Sequence, residues 1–83
     1  MSRVLVVEDE PAVAELIALN LRHAGYEVTV AADGEQAVAA VDGVLPDLVL
    51  LDWMLPGTSG QALARRWRGE ERTRHLPIIM LTA

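Results

Sequence analysis

The sequence predicts an α/β fold: a doubly wound parallel sheet with helices on both faces. Two short apolar runs, Val4-Leu5-Val6-Val7 and Leu48-Val49-Leu50-Leu51, each end abruptly in acids and turn residues, as strands buried on both faces do. A third run, Ile78 to Leu81, lies near the C-terminus. Segments with helical spacing separate these runs, so the order reads strand-helix-strand-helix-strand-helix-strand.

Composition narrows the class. At 83 residues and 52% hydrophobic, the chain is one small globular domain rather than a disordered segment. It carries a net charge of -5, and all seven of its basic residues are Arg. That balance argues against direct nucleic-acid binding by this segment, which needs a basic patch, and suits a site that gathers cations. With no Cys, thiolate catalysis and Cys-based metal sites are excluded. The run Val4 to Val7 is too short for a signal peptide and leads straight into acids. No segment reaches the roughly 18 apolar residues of a membrane span.

Taken in order, the first strand stops at Glu8-Asp9-Glu10. Pro11 then opens a helix, with Asp9 or Glu10 favourably placed at its N-terminus. Val13, Leu16, Ile17, Leu21 and Ala24 form the expected buried stripe, and Gly25 closes the helix as a left-handed cap. Tyr26 to Val30 alternates apolar and polar, which predicts a half-exposed strand at the sheet edge. Asp33 reads as an N-cap, with Gln36 completing a capping box. Ala37, Val38 and Val41 line the following helix, and Gly43 ends it. After Pro46 comes the strand Asp47 to Leu51, terminated by Asp52 and the turn Trp53-Met54-Leu55-Pro56-Gly57. Ser59 caps a short helix over Gln61 to Arg68, with Leu63, Ala64 and Trp67 inward and Arg65, Arg66 and Arg68 forming a solvated face. Gly69 to His75 reads as a charged loop. Leu76 to Leu81 is the last strand, and Thr82-Ala83 follow it. That strand is apolar on both faces and lacks the charges of a protected edge, so the folding unit is expected to continue past Ala83.

The polar residues that end these strands carry the chemistry. Glu8 and Asp9, Asp52, and Thr82 all fall on one edge of a parallel sheet. The first and third strands are the most apolar, hence central and adjacent, and the helices after them leave on opposite faces. Ligand sites form in the crevice this creates. Two unit charges about 4 Å apart repel by roughly 4 kcal/mol at an effective dielectric near 20. A cluster of oxygens without His or Cys suits Mg²⁺ as the offsetting ion. A carboxylate beside Mg²⁺ can attack phosphorus to form an aspartyl-phosphate, and Thr82 offers a hydroxyl to the phosphoryl group. As plain alternatives, Glu8-Asp9-Glu10 could be only a helix start, Asp52 a solvated loop residue and Thr82 a strand-end hydroxyl. His23 and His75 lie in polar surroundings and read as surface residues.

Three motifs together resemble the receiver domain of two-component response regulators: Val4-Leu5-Val6-Val7-Glu8-Asp9-Glu10, Asp47 to Gly57, and Pro77-Ile78-Ile79-Met80-Leu81-Thr82-Ala83. The run Asp52-Trp53-Met54-Leu55-Pro56-Gly57, with Arg72 to Pro77, is similar in particular to the phosphate-regulon type. The resemblance implies a flavodoxin-like sheet of order 2-1-3-4, with residues 1–83 a receiver domain lacking the last helix-strand-helix of the fold. It implies that Asp52 is the phosphoacceptor. Asp9, Asp52 and the Met54 backbone carbonyl would bind Mg²⁺, with Glu8 acting through a water. Thr82 would be the switch hydroxyl, and the Ala83 backbone N–H a second phosphoryl contact. The family's Lys after its fifth strand and its aromatic switch residue have no counterpart in this chain. The implied partners are a sensor histidine kinase and, in a full-length parent, a second receiver and a DNA-binding output domain; the implied setting is the cytoplasm. This is a regulatory module rather than a turnover enzyme. Two alternatives stay open. One is a receiver that is not phosphorylated. The other is an aspartate-nucleophile phosphatase or phosphotransferase, which usually carries a second Asp two residues after the nucleophile, where this chain has Met54.

Overall fold

The computed structural model describes residues 2–81. Four strands and three helices alternate: β1 (Arg3–Val7), α1 (Pro11–His23), β2 (Glu27–Ala31), α2 (Gly34–Gly43), β3 (Leu48–Asp52), α3 (Gly60–Arg68) and β4 (Ile78–Leu81). All strand pairs are parallel, in the order β2-β1-β3-β4. The predicted fold class and strand order are thus observed. Parallel pairing follows from the helical crossovers, which return each strand to the same end of the sheet.

Strand alternation divides the apolar residues between two faces. On one face Leu5, Val7, Val49 and Leu51 pack with Ala37 and Val41 of α2 and Leu63 and Trp67 of α3. On the other, Val4 and Val6 are buried together with Ala14 and Ala18 of α1. The two faces are not equally covered. α1 packs on β1 and β2, so burial on its face declines across the sheet: Val6 is sealed, its neighbour Leu50 is half-buried, and Ile79 beyond it is 51% exposed. This corrects the expectation that β3 is buried on both faces; β4, read as apolar on both faces without a cover, leaves Ile79 open.

The stripe of α1 is also corrected. Val13 and Leu16 are exposed, while Ala14 and Ala18 are buried and Ile17 and Leu21 half-buried. The helix sits closely on the sheet through its alanines. Its C-terminus follows the expectation. Gly25 has φ 97°, its N–H donates to Arg22 O and the Tyr26 N–H to Leu21 O, the paired bonds of a Schellman cap. At α2 the Asp33 carboxylate accepts from the Gln36 N–H at 2.8 Å. The Gln36 side chain accepts in return from Ala32 rather than from Asp33, so the capping box is shifted by one residue. Ser59 caps α3 by accepting from the Ala62 N–H at 3.1 Å.

The stretch read as a charged loop contains a turn of 3₁₀ helix at Glu71–Thr73. Thr73 is buried and donates to Trp67 O at 2.6 Å. The arginines around it are not all a solvated face. Arg68 donates to Leu76 O at 2.6 Å and Arg72 to Val41 O at 2.7 Å, while Arg66 pairs with Glu70 in the open. Among the described residues no helix is long and apolar enough to cross a membrane.

Candidate functional site

The carboxyl ends of β1 and β3 lie side by side, with Val7 in register with Leu51. One residue further along each strand brings Glu8 and Asp52 to the same edge. The backbone holds both in place: the Glu8 N–H donates to Ala31 O at 3.0 Å and the Trp53 N–H to Leu81 O at 3.1 Å. Glu8, Asp9 and Asp52 converge there, each offering a carboxylate oxygen, and these oxygens lie within 4.8 Å of one another. Glu8 is buried, Asp52 half-buried and Asp9 exposed. The anticipated acidic crevice is therefore present, between helices that leave on opposite faces. Another concavity of about 690 Å³, bordered by Arg3, Arg22, Tyr26 and Val44, lies at the other end of the sheet, away from this cluster.

Local backbone hydrogen bonds orient two of the three acids. Glu8 Oε1 accepts from the Glu10 N–H at 3.0 Å, and Asp52 Oδ1 from the Met54 N–H at 3.3 Å. Burial pushes the Glu8 carboxyl above its ordinary 4.5; the Glu10 N–H opposes this, and the charge of Asp52, a hydrogen bond with Asp52 and the charge of Asp9 add to it. The folded chain thus holds this proton more tightly than the unfolded chain. With metal chelated, the stability from Glu8 is full below about pH 4.5 and falls as pH climbs through the raised folded value. Glu8→Gln keeps the acceptor for Glu10 but removes the titration. Its thermal midpoint in chelator is expected to exceed that of the wild type by a margin that grows as pH rises above about 4.5. A margin that shrinks with rising pH contradicts this.

The remaining residues fall around the cluster. Trp53 is 41% and Met54 72% exposed beside Asp52. An antiparallel bridge between Met54 and Ser59 closes the loop that follows β3, and Gly57 turns it with φ 81°. Thr82 and Ala83, expected to contact a phosphoryl group, lie outside the described residues. Gly60 escaped the sequence reading. It is buried at the start of α3 and its N–H donates to Trp53 O at 2.9 Å.

The family model for the response regulator receiver domain matches residues 4–83. The chain belongs to this family. Members of the receiver family are signalling modules of two-component systems, phosphorylated on aspartate. The chain is 54% identical over 80 residues to the phosphate regulon transcriptional regulatory protein PhoB of Pseudomonas aeruginosa, covering 96% of this chain and 35% of that protein. It is 47% identical to the DNA-binding response regulator MtrA of Mycolicibacterium smegmatis, covering 98% of this chain and 34% of that protein. The receiver thus spans about a third of the length of these relatives. Among solved structures it is similar to the response regulator protein TrrA of Thermotoga maritima in complex with Mg²⁺-BeF, with TM-score 0.92 and 41% identity, covering 100% of this chain and 70% of that one. It is similar also to the N-terminal domain of a response regulator receiver protein of Methanoculleus marisnigri, with TM-score 0.96 and 35% identity, covering 100% of this chain and 68% of that one.

Proposed function

We propose that Asp52 is the phosphoacceptor of this receiver, taking a phosphoryl group from a sensor histidine kinase. The observation that carries the reading is the convergence of Glu8, Asp9 and Asp52 within 4.8 Å at the end of two adjacent strands. An Asp52 oxygen attacks phosphorus, the P–N bond of a phosphohistidine breaks, and the imidazole leaves with the electron pair and picks up a proton. The product on this chain is an acyl phosphate. β3 fixes the nucleophile, and the Met54 N–H on Oδ1 holds the carboxylate in one orientation.

The donor set fits Mg²⁺. It is all oxygen, and three carboxylates with oxygens within 4.8 Å of one another repel in a way that a cation relieves. Asp9, Asp52 and the Met54 backbone carbonyl would hold the ion directly and Glu8 through a water. When bound, Mg²⁺ neutralises charge on the transferring phosphoryl oxygens. The Thr82 hydroxyl and the Ala83 N–H complete the phosphoryl contacts in this reading. In a longer parent the phosphorylated receiver would pair with a second receiver and control transcription in the cytoplasm; the likeness to a transcriptional regulatory protein, PhoB, and a DNA-binding response regulator, MtrA, supports the transcriptional output. The phosphatase reading is disfavoured by Met54, which stands where those enzymes carry an acid.

An amide NMR titration of this chain with Mg²⁺ tests the site. Shifts concentrated at Glu8, Asp9, Asp52 and Met54 are expected. A folded spectrum indifferent to Mg²⁺ overturns the metal assignment.

A further inference from the structure

The start of α3 approaches the acceptor strand more closely than any side chain allows. A Cβ built on Gly60 would overlap the Asp52 carbonyl oxygen, and it would lie 3.0 Å from the Asp52 carbonyl carbon and 3.2 Å from Met80 Cε. The first two are backbone atoms and cannot rotate away. The same glycine donates its N–H to Trp53 O at 2.9 Å. One residue of α3 thus touches both peptide groups that flank Trp53. The other side of this strand end is held by β4, through the Trp53 N–H to Leu81 O.

We propose that Gly60 is a positioning residue for the acceptor. Its missing side chain lets α3 seat on the Asp52 carbonyl, and this contact sets where the Asp52 carboxylate and the Met54 peptide stand relative to Glu8 and Asp9. The inference rests on the proposed role of Asp52. A methyl group at position 60 must either lift α3 or swing the Asp52–Trp53 peptide. Either shift moves a nucleophile anchored at that peptide, and a misplacement of about 1 Å can cost on the order of a hundredfold in rate.

Two other glycines provide comparisons. A Cβ at Gly34 would overlap Thr58 Cγ2, which is the end of a side chain in the loop after β3 and can turn aside. A Cβ at Gly43 meets nothing within 4 Å, and its φ is not positive.

The test compares Gly60→Ala, Gly34→Ala and Gly43→Ala in the full 83-residue chain. Mg²⁺ affinity is read from tryptophan fluorescence, to which Trp53 beside the site and the buried Trp67 both contribute, labelling of Asp52 is read with a small acyl phosphate, and folding is followed by amide NMR. In the folded Gly60→Ala protein, Mg²⁺ affinity is expected to fall about tenfold or more and labelling about a hundredfold. Gly43→Ala should match the wild type, and Gly34→Ala should change either value less than threefold. A folded Gly60→Ala chain with wild-type Mg²⁺ affinity and labelling overturns the inference, even if its melting midpoint drops. Where Gly60→Ala yields no folded protein, the wild-type chain carries the test. Mg²⁺ saturation should then shift the Gly60 amide resonance together with those of Asp52 and Met54, and an unmoved Gly60 amide overturns the inference. A folded wild-type chain that ignores Mg²⁺ and takes no label at Asp52 overturns the proposed function and this inference together. Normal wild-type behaviour with an unaffected Gly60→Ala overturns the inference alone.

Discussion

Asp52→Asn is expected to reduce phosphoryl incorporation to background while the fold persists. The two side chains have the same shape, and the Asn carbonyl oxygen can still accept the Met54 N–H that Asp52 Oδ1 accepts at 3.3 Å. What is lost is the anionic oxygen that attacks phosphorus. One carboxylate also leaves the Mg²⁺ set, so affinity should fall by roughly tenfold or more. The same change should stabilise the metal-free chain. The charge of Asp52 is one of the causes that push Glu8 upward, and removing it relieves a repulsion retained in the folded state. Each kcal/mol relieved raises the melting midpoint of a domain this size by roughly 4–8 °C. The measurement is labelling with a small acyl phosphate, alongside thermal melts in chelator. Labelling at the wild-type level would place the acceptor elsewhere, with Asp9 the nearest exposed carboxylate. A lower midpoint in chelator would contradict the electrostatic account.

Trp67→Ala is expected to unfold the chain or leave it close to unfolding. Trp67 is 1% exposed and is the largest of the fully buried side chains. It packs from α3 against the face of the sheet formed by Leu5, Val7, Val49 and Leu51. Truncating a buried Trp to Ala costs about 3–5 kcal/mol. At about 0.05–0.15 kcal/mol per residue, a domain of this size holds only about 4–12 kcal/mol in total. Loss of amide dispersion, or a urea midpoint lowered by about a quarter or more, is expected. A loss below about 1 kcal/mol would mean that α3 does not depend on this contact.

Much of the fold was legible because strong local signals agreed. β1 and β3 are unbroken apolar runs closed by acids, and a parallel sheet is the arrangement that buries them. Gly25 and Ser59 took the capping roles that their positions announced. The phase of α1 was not legible. Apolar residues surround it, from Ala12 through Leu21, and periodicity favours large residues over Ala14 and Ala18. Which side faces the sheet depends on how near the helix can approach, and that is decided by small side chains. The roles of Arg68 and Arg72 were missed for a related reason. They donate to carbonyls of Leu76 and Val41, and Val41 is distant in sequence. Within the site, Glu8, Asp9 and Asp52 could be named because strand ends mark their positions. Gly60 could not, because an approach between a helix start and a strand end leaves no local pattern.

The strands that carry the acids are the two with neighbours on both sides: β1 between β2 and β3, and β3 between β1 and β4. Charges mounted at the ends of interior strands, as Glu8 and Asp52 are, drift apart less than charges on a free loop. Their repulsion is kept as stored free energy instead of being dissipated by motion. The site therefore behaves like a loaded spring whose frame does not give. It can be discharged only by something that arrives from solution, a proton or a counter-ion, and the rigidity of the frame sets how much of that arrival is converted into binding.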